Sequence, residues 1–276
     1  MDVWRENVKR IVFYSALTVI IASFFLNNCY ANNKKIGMPI VIPSYISTLA
    51  DDSVQFALYY VTDHDDKRTV QRITFGDTDI WVEGDTSGFF EQDSSKLHTI
   101  DTFKYQTLNR ASFDISAEEV ADIYKKGILA EDIQVVLSDD KKIPANFQHF
   151  EILKTKKKDK EKLSFISSGG SSEGTGHTKF KVKQNVKLTQ MDIPEELKSY
   201  YEVQVVKSYQ KVDLPFKLSK EETLSINTKV IRNIPFSCDT TIPLISNEDV
   251  IGFISLQNNP TISEKDIENL VKEYGR

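Results

Sequence analysis

The sequence predicts a mainly β protein: an amino-terminal transmembrane helix followed by an antiparallel, β-sandwich-like ectodomain with two short helices. Three observations predict it. Sixteen consecutive residues near the amino terminus carry no charge. Most later segments alternate apolar and polar residues with period two, the mark of strands with one buried face. Only two later stretches combine helical caps with apolar residues at helical spacing. The totals agree with a globular body. Of 276 residues 40% are hydrophobic, and the net charge is −5, which excludes an intrinsically disordered chain. The acidic balance argues against a nucleic-acid partner. Gly 11 and Pro 8 are too few for collagen-like or low-complexity architecture.

The uncharged block is Ile11 to Leu26, preceded by Arg5, Lys9 and Arg10 and followed by Asn27 and Asn28. It would make about 24 Å of helix against a hydrocarbon core of about 30 Å. Extension through Tyr30 places that ring at headgroup level, while Lys9 and Arg10 snorkel to the other interface. The expectation is a retained single-span anchor over residues 11–30, with residues 1–31 as cytoplasmic tail plus span. Two alternatives stay open. A signal peptide would be cleaved after Ala31, because Cys29 and Ala31 supply small residues at the two inspected positions. A lipoprotein would be acylated at Cys29, although Asn27 and Asn28 depart from the small residues usual before that cysteine. Three basic residues before the span against Lys34 and Lys35 after it favour an extracytoplasmic body. Outside, Cys238 has no second cysteine to pair with, so the body must be held by its core.

Strands are expected at Val54–Val61, Arg68–Phe75, Asp132–Leu137, Phe147–Leu153, Tyr201–Val206, Leu224–Val230 and Val250–Leu256. Polar turns such as Asp63-His64-Asp65-Asp66-Lys67, Ser138-Asp139-Asp140-Lys141 and Ser246-Asn247-Glu248-Asp249 separate them. The cleanest alternation is Lys179 to Leu188. Phe180, Val182, Val186 and Leu188 share one face, and four lysines on the other suit a solvated edge or sheet surface. One helix starts at the capping box Ser116/Glu119, carries Val120, Ile123 and Tyr124, and stops at Gly127. The other starts at Ser263, carries Ile267, Leu270, Val271 and Tyr274, and stops at Gly275. The run Lys154–Lys162 has no apolar residue. It divides the body into β-rich regions 32–153 and 163–276 as a linker, or forms a long hairpin loop in one continuous sandwich.

Chemistry-bearing residues are sparse. His64, His98, His149 and His177 have no metal-binding spacing, and no nucleophile elbow is present. Cys238 is expected to be buried and inert, since adjacent Asp239 disfavours thiolate. The acids Asp77, Asp79, Glu83 and Asp85, and the group Asp63, Asp65 and Asp66, could hold calcium only weakly and are more simply solvated. The basic run at 154–162 is diluted by Asp159 and Glu161, which weakens any attraction to anionic polymers or headgroups. The most distinctive segment is Ser167 to Thr178, SSGGSSEGTGHT. It fails as a phosphate-binding loop, because Ser171 stands where the first glycine belongs and His177 where the lysine belongs. It is expected to be a hairpin or connecting loop, with ligand contact through its bare backbone as the functional option.

These features assign no catalytic, cofactor or metal residue. They favour a membrane-anchored binding or interaction module facing a cell-surface ligand. An extracytoplasmic hydrolase assembled only by the fold, or a regulatory partner of another membrane protein, are the alternatives.

Overall fold

A computed structural model describes residues 2–83, 99–154, 162–171, 174–247 and 249–274. Helix α1 (Asp2–Asn32) is 31 residues long, and its side chains from Phe13 to Tyr30 are all exposed. Thus one amino-terminal helix is long and apolar enough to cross a membrane.

The next elements are β1 (Ile40–Val41), β2 (Ser44–Leu49), β3 (Val54–Asp63), β4 (Val70–Phe75), β5 (Thr78–Trp81), β6 (Thr99–Thr102), β7 (Gln106–Ile115), α2 (Ala117–Lys126), β8 (Ile133–Leu137), β9 (Lys142–Pro144) and β10 (Phe147–Leu153). After residue 161 come β11 (Leu163–Gly170), β12 (Thr175–Val182), β13 (Val186–Leu188), β14 (Gln190–Met191), α3 (Glu195–Lys198), β15 (Tyr201–Lys207), β16 (Gln210–Lys211), β17 (Phe216–Leu218), β18 (Thr223–Val230), β19 (Ser237–Ser246), β20 (Asp249–Asn258) and α4 (Glu264–Tyr274). The protein is therefore mainly β: among the described residues about half lie in strands and about a fifth in helices.

Most strand pairs are antiparallel, but the sheet built around β2 is mixed. β2 runs parallel to β10 on one side and to β19 on the other, and β19 continues antiparallel to β14 and β20. The expected antiparallel pairing thus holds for most pairs, and β2 is where it does not. Alternation reports a half-buried face and says nothing of neighbour direction, which long connections leave free. β2 is buried along nearly its whole length and sends alternate residues to two cores. Ile46 joins a core with Phe56, Phe75 and Phe113, whereas Tyr45 packs against one with Phe236 and Leu244. The first core is an aromatic chain, with Phe56 and Phe113 rings 5.4 Å apart, Phe147 and Phe150 5.5 Å, and Phe75 and Phe150 5.3 Å.

β3 and β7 pair over ten residues, and β3 is buried on both faces from Leu58 to Asp63. Phe56, Leu58 and Tyr60 enter the first core. Tyr59, Val61 and Leu108 face a third cluster, which Ile267 of α4 covers with Leu270 and Val271 beside it. Ser263 caps α4 by accepting from the Asp266 amide, and Asp266 accepts from the Ser263 amide at 2.9 Å. At α2 the capping box forms as expected, and Gly127 takes φ 63 as the left-handed stop. Val120 and Ile123 are buried, but Tyr124 is exposed, so that stripe is narrower than its spacing implied. A one-turn helix, α3, and a 3-10 turn at Ala130–Asp132 were not anticipated.

The alternating run from Lys179 ends as a strand at Val182 and resumes at Val186 in a different sheet. Phe180, Val182 and Leu188 are buried as expected. Of the two expected placements of the lysine face, an edge or a sheet surface, it is the sheet surface, because β12 lies between β11 and β18. Lys179 and Lys181 occupy the outer face of an interior strand, which a period-two pattern cannot distinguish from an edge. Residues 155–161, which include most of the charged run, and Gly275 lie outside the described residues.

The passage from α1 into the body is short and pinned. Asn33 and Lys35 donate back to the helix end at Cys29 and Asn32. The Lys34 carbonyl accepts from Gln106 Nε2 at 2.6 Å, and the buried Asp63 carboxylate accepts from the Ile36 and Gly37 amides at 3.2 Å. Ile36 is already core.

Candidate functional site

A cleft of about 810 Å³ opens over the outer face of β19 and β20. Strand register builds its floor: Asp239 pairs with Gln257, Thr241 with Ser255, and Pro243 with Phe253, so alternate side chains from both strands share one face. Gln257 Nε2 donates to Asp239 Oδ1 at 3.2 Å. One wall is the end of β2 with residues 52–55. There Ser47 Oγ accepts from the Thr241 amide at 2.9 Å and donates to its carbonyl at 3.1 Å.

The other wall is the glycine- and serine-rich segment, which apart from Ser172 and Glu173, outside the described residues, forms the paired ends of β11 and β12. Gly169 lies opposite His177, and Gly170 opposite Gly176. The hairpin closes through Ser171 and Thr175, whose hydroxyls are 2.8 Å apart. Glycine is required here by close approach. A Cβ on Gly176 would sit 2.6 Å from Thr228 Oγ1, and one on Gly169 would sit 2.8 Å from the His177 ring. Gly174 adopts φ +75 against Val230. The result is a flat wall of backbone and small hydroxyls. Phe165 stands exposed on it, in edge contact with Phe180 at 6.4 Å.

Two polar groups at the base of the cleft are perturbed. Burial pushes the Asp239 carboxyl up to about 6, with the Gln257 hydrogen bond opposing. Tyr201 is 6% exposed, and its buried hydroxyl lies beside the Cys238 sulfur. The neighbouring Cys238 thiol is already directed to Thr240 and the Leu256 carbonyl, at 3.6 Å each. Burial, more than Asp239, also raises the Cys238 thiol to about 11. That chemistry suits a packing residue and not a thiolate nucleophile.

The remaining sequence-predicted residues disperse. His64 Nε2 lies 3.0 Å from the Gln106 carbonyl. His149 stacks with Tyr45, its Nε2 3.3 Å from Glu151 without hydrogen-bond alignment. His98 and Asp85 lie outside the described residues. Asp77 pairs with Lys126 at 2.6 Å, Asp79 with Arg72 at 3.2 Å, Asp65 with Lys35 at 2.5 Å and Asp66 with Arg68 at 2.7 Å. Asp63 is committed to the α1 junction. Among the described residues, no three histidine, cysteine, aspartate or glutamate side chains gather as a metal site.

Sequence reasoning singled out His177 and the glycine–serine segment. It missed Asp239, Gln257, Phe253 and Tyr201 as site residues. One signal was available: Asp239 is the sole acid between Glu222 and Glu248, in a stretch otherwise made for a strand. The sequence matches no known protein family and no curated protein.

Proposed function

We propose that this is a single-pass membrane protein anchored through residues 11–30, whose sandwich-like β body lies outside the cytoplasm and works as a binding module. In this reading Arg5, Lys9 and Arg10 stay on the cytoplasmic side, and the regions 32–153 and 163–276 contribute opposite walls of one ligand site. The observation that carries it is the cleft itself: an open trough with a flat glycine wall and a polar strand-face floor. The apolar surface of α1 from Phe13 to Tyr30, exposed among the described residues, supports the anchor.

The hydrolase reading draws on one observation, the Asp239 carboxyl held near neutrality, where a general acid or base works best. The test of the anchor is membrane fractionation with mass spectrometry of the mature amino terminus. An uncleaved amino terminus in the membrane fraction is expected. A start at Asn32, or an acylated Cys29, replaces the anchor with secretion or lipidation.

A further inference from the structure

We infer that the junction between α1 and the β body holds the headgroup of a membrane phospholipid that carries a phosphate and a primary ammonium. The inference rests on α1 spanning a bilayer and adds a lipid partner to that anchor.

Depth comes first. Tyr30 ends the apolar surface of α1, and its ring lies 6.4 Å from that of Tyr105, in the turn between β6 and β7. With Tyr30 in the aromatic belt of a membrane surface, the turn that carries Tyr105 stands at the same level. Lys34 follows four residues after Tyr30, no more than about 6 Å further along the helix axis. The polar layer of a bilayer is about 5–7 Å deep on each side, so Lys34 lies among headgroups.

A cavity of about 210 Å³ opens at this level, with Lys34, Tyr105, Glu264, Glu268 and Lys272 in its lining. Glu264, Glu268 and Lys272 recur every four residues, so one face of α4 supplies all three. Ile267, buried in the third cluster, holds α4 in place, and Glu264 accepts from the Lys104 amide at 3.4 Å. Lys34 Nζ is 3.6 Å from Glu268 Oε1, a long and partly exposed pair that exchanges partners at little cost.

Charge then selects the ligand. Among the described residues the lining carries two lysines and two glutamates, the two signs that a phosphate and an ammonium require. A purely anionic headgroup would satisfy Lys34 and Lys272 but set its phosphate against Glu264 and Glu268. Choline is recognised by aromatic cages, and here the tyrosine rings already carry cations: Lys34 over Tyr30 at 5.6 Å and Lys104 over Tyr105 at 5.1 Å. A primary ammonium instead donates three hydrogen bonds, which suits carboxylates.

The experiment places the full chain in nanodiscs of equimolar phosphatidylethanolamine, phosphatidylcholine and phosphatidylglycerol, and native mass spectrometry identifies the lipid retained on release. Phosphatidylethanolamine should be enriched roughly fivefold over either of the others. Lys272→Gln should lower its retention about fivefold. Glu264→Gln with Glu268→Gln leaves a positive lining and should switch the preference to phosphatidylglycerol. Lys125→Gln, on α2 and outside the cavity, should change nothing. Near-UV circular dichroism confirms that each variant is folded. Equal retention of the three lipids, or a wild-type preference for phosphatidylcholine or phosphatidylglycerol, overturns the proposal and leaves the anchor standing. A preference for phosphatidylethanolamine that survives the double glutamate substitution also overturns it. A chain that starts at Asn32 and stays out of nanodiscs overturns the anchor and the proposal together.

Discussion

Removing the Asp63 carboxylate should loosen the seam between α1 and the β body. Asp63 closes β3, is 5% exposed, and holds the Ile36 and Gly37 amides, each at 3.2 Å. A hydrogen bond to a charged acceptor contributes about 1.5–3 kcal/mol, and stranding its buried donor costs a similar amount. The Ile36 amide is deeply buried and the Gly37 amide reaches water more easily, so Asp63→Ala should cost about 3–4 kcal/mol. For a body of this size that is about 8–12 °C in Tm. Asp63→Asn keeps one acceptor oxygen and should lose about half as much. The assay is thermal unfolding of the full chain in micelles, followed by near-UV circular dichroism, with amide exchange at residues 36–38 as the local readout. Asp65→Asn, which removes only the exposed pair with Lys35, should leave Tm unchanged. A loss below about 2 °C for Asp63→Ala, or equal losses for Asp63→Ala and Asp65→Asn, would refute the assignment of the seam to hydrogen bonding.

Two further substitutions probe the cleft. Because burial raises the Asp239 carboxyl to about 6 from an ordinary 3.8, the native state binds that proton more tightly than the unfolded chain. Stability from this group is full below its unfolded value and is lost as pH rises through about 6, so the Tm of the wild type minus that of Asp239→Asn should fall between about pH 4 and pH 7. A flat or rising difference across that range would exclude the burial mechanism. On the wall, Gly176→Ala places a methyl 2.6 Å from Thr228 Oγ1. It should cost about 1–2 kcal/mol in denaturant unfolding, and Thr228→Ala in the same chain should restore most of the loss. Additive losses would show that the clash is not the cause.

Legibility of the fold in the sequence followed burial on one face. β3, β4, β8, β10, β15, β18 and β20 each answer an alternating run, and the bounds of β10 coincide with it. β2, β7 and β19 went unseen for a physical reason. β2 is Ser44-Tyr45-Ile46-Ser47-Thr48-Leu49, whose two serines are buried and hydrogen-bonded and whose Thr48 is buried, so no polar phase marks an outer face. In β7, Leu108 faces one core while Ala111, Phe113 and Ile115 face another, and the two phases cancel. β19 carries Pro243, which demotes a strand on sequence grounds, although here its carbonyl still accepts from Asp192. The site was half legible. Four glycines among serines announced a bare wall. Asp239, Gln257 and Tyr201 come from three strands, and only sheet register and packing bring them to one trough.

The pinned passage from α1 to Ile36 makes heading a heritable property of the body. A domain on a slack stalk sweeps a hemisphere and meets its ligand from any bearing. With α1 in a bilayer, this body would share the helix's tilt, leaving free only drift in the plane and spin about the membrane normal. Bilayer thickness would then act as a steering input: lipid that makes the helix lean would re-aim the trough by the same angle, with no change in any contact that lines it.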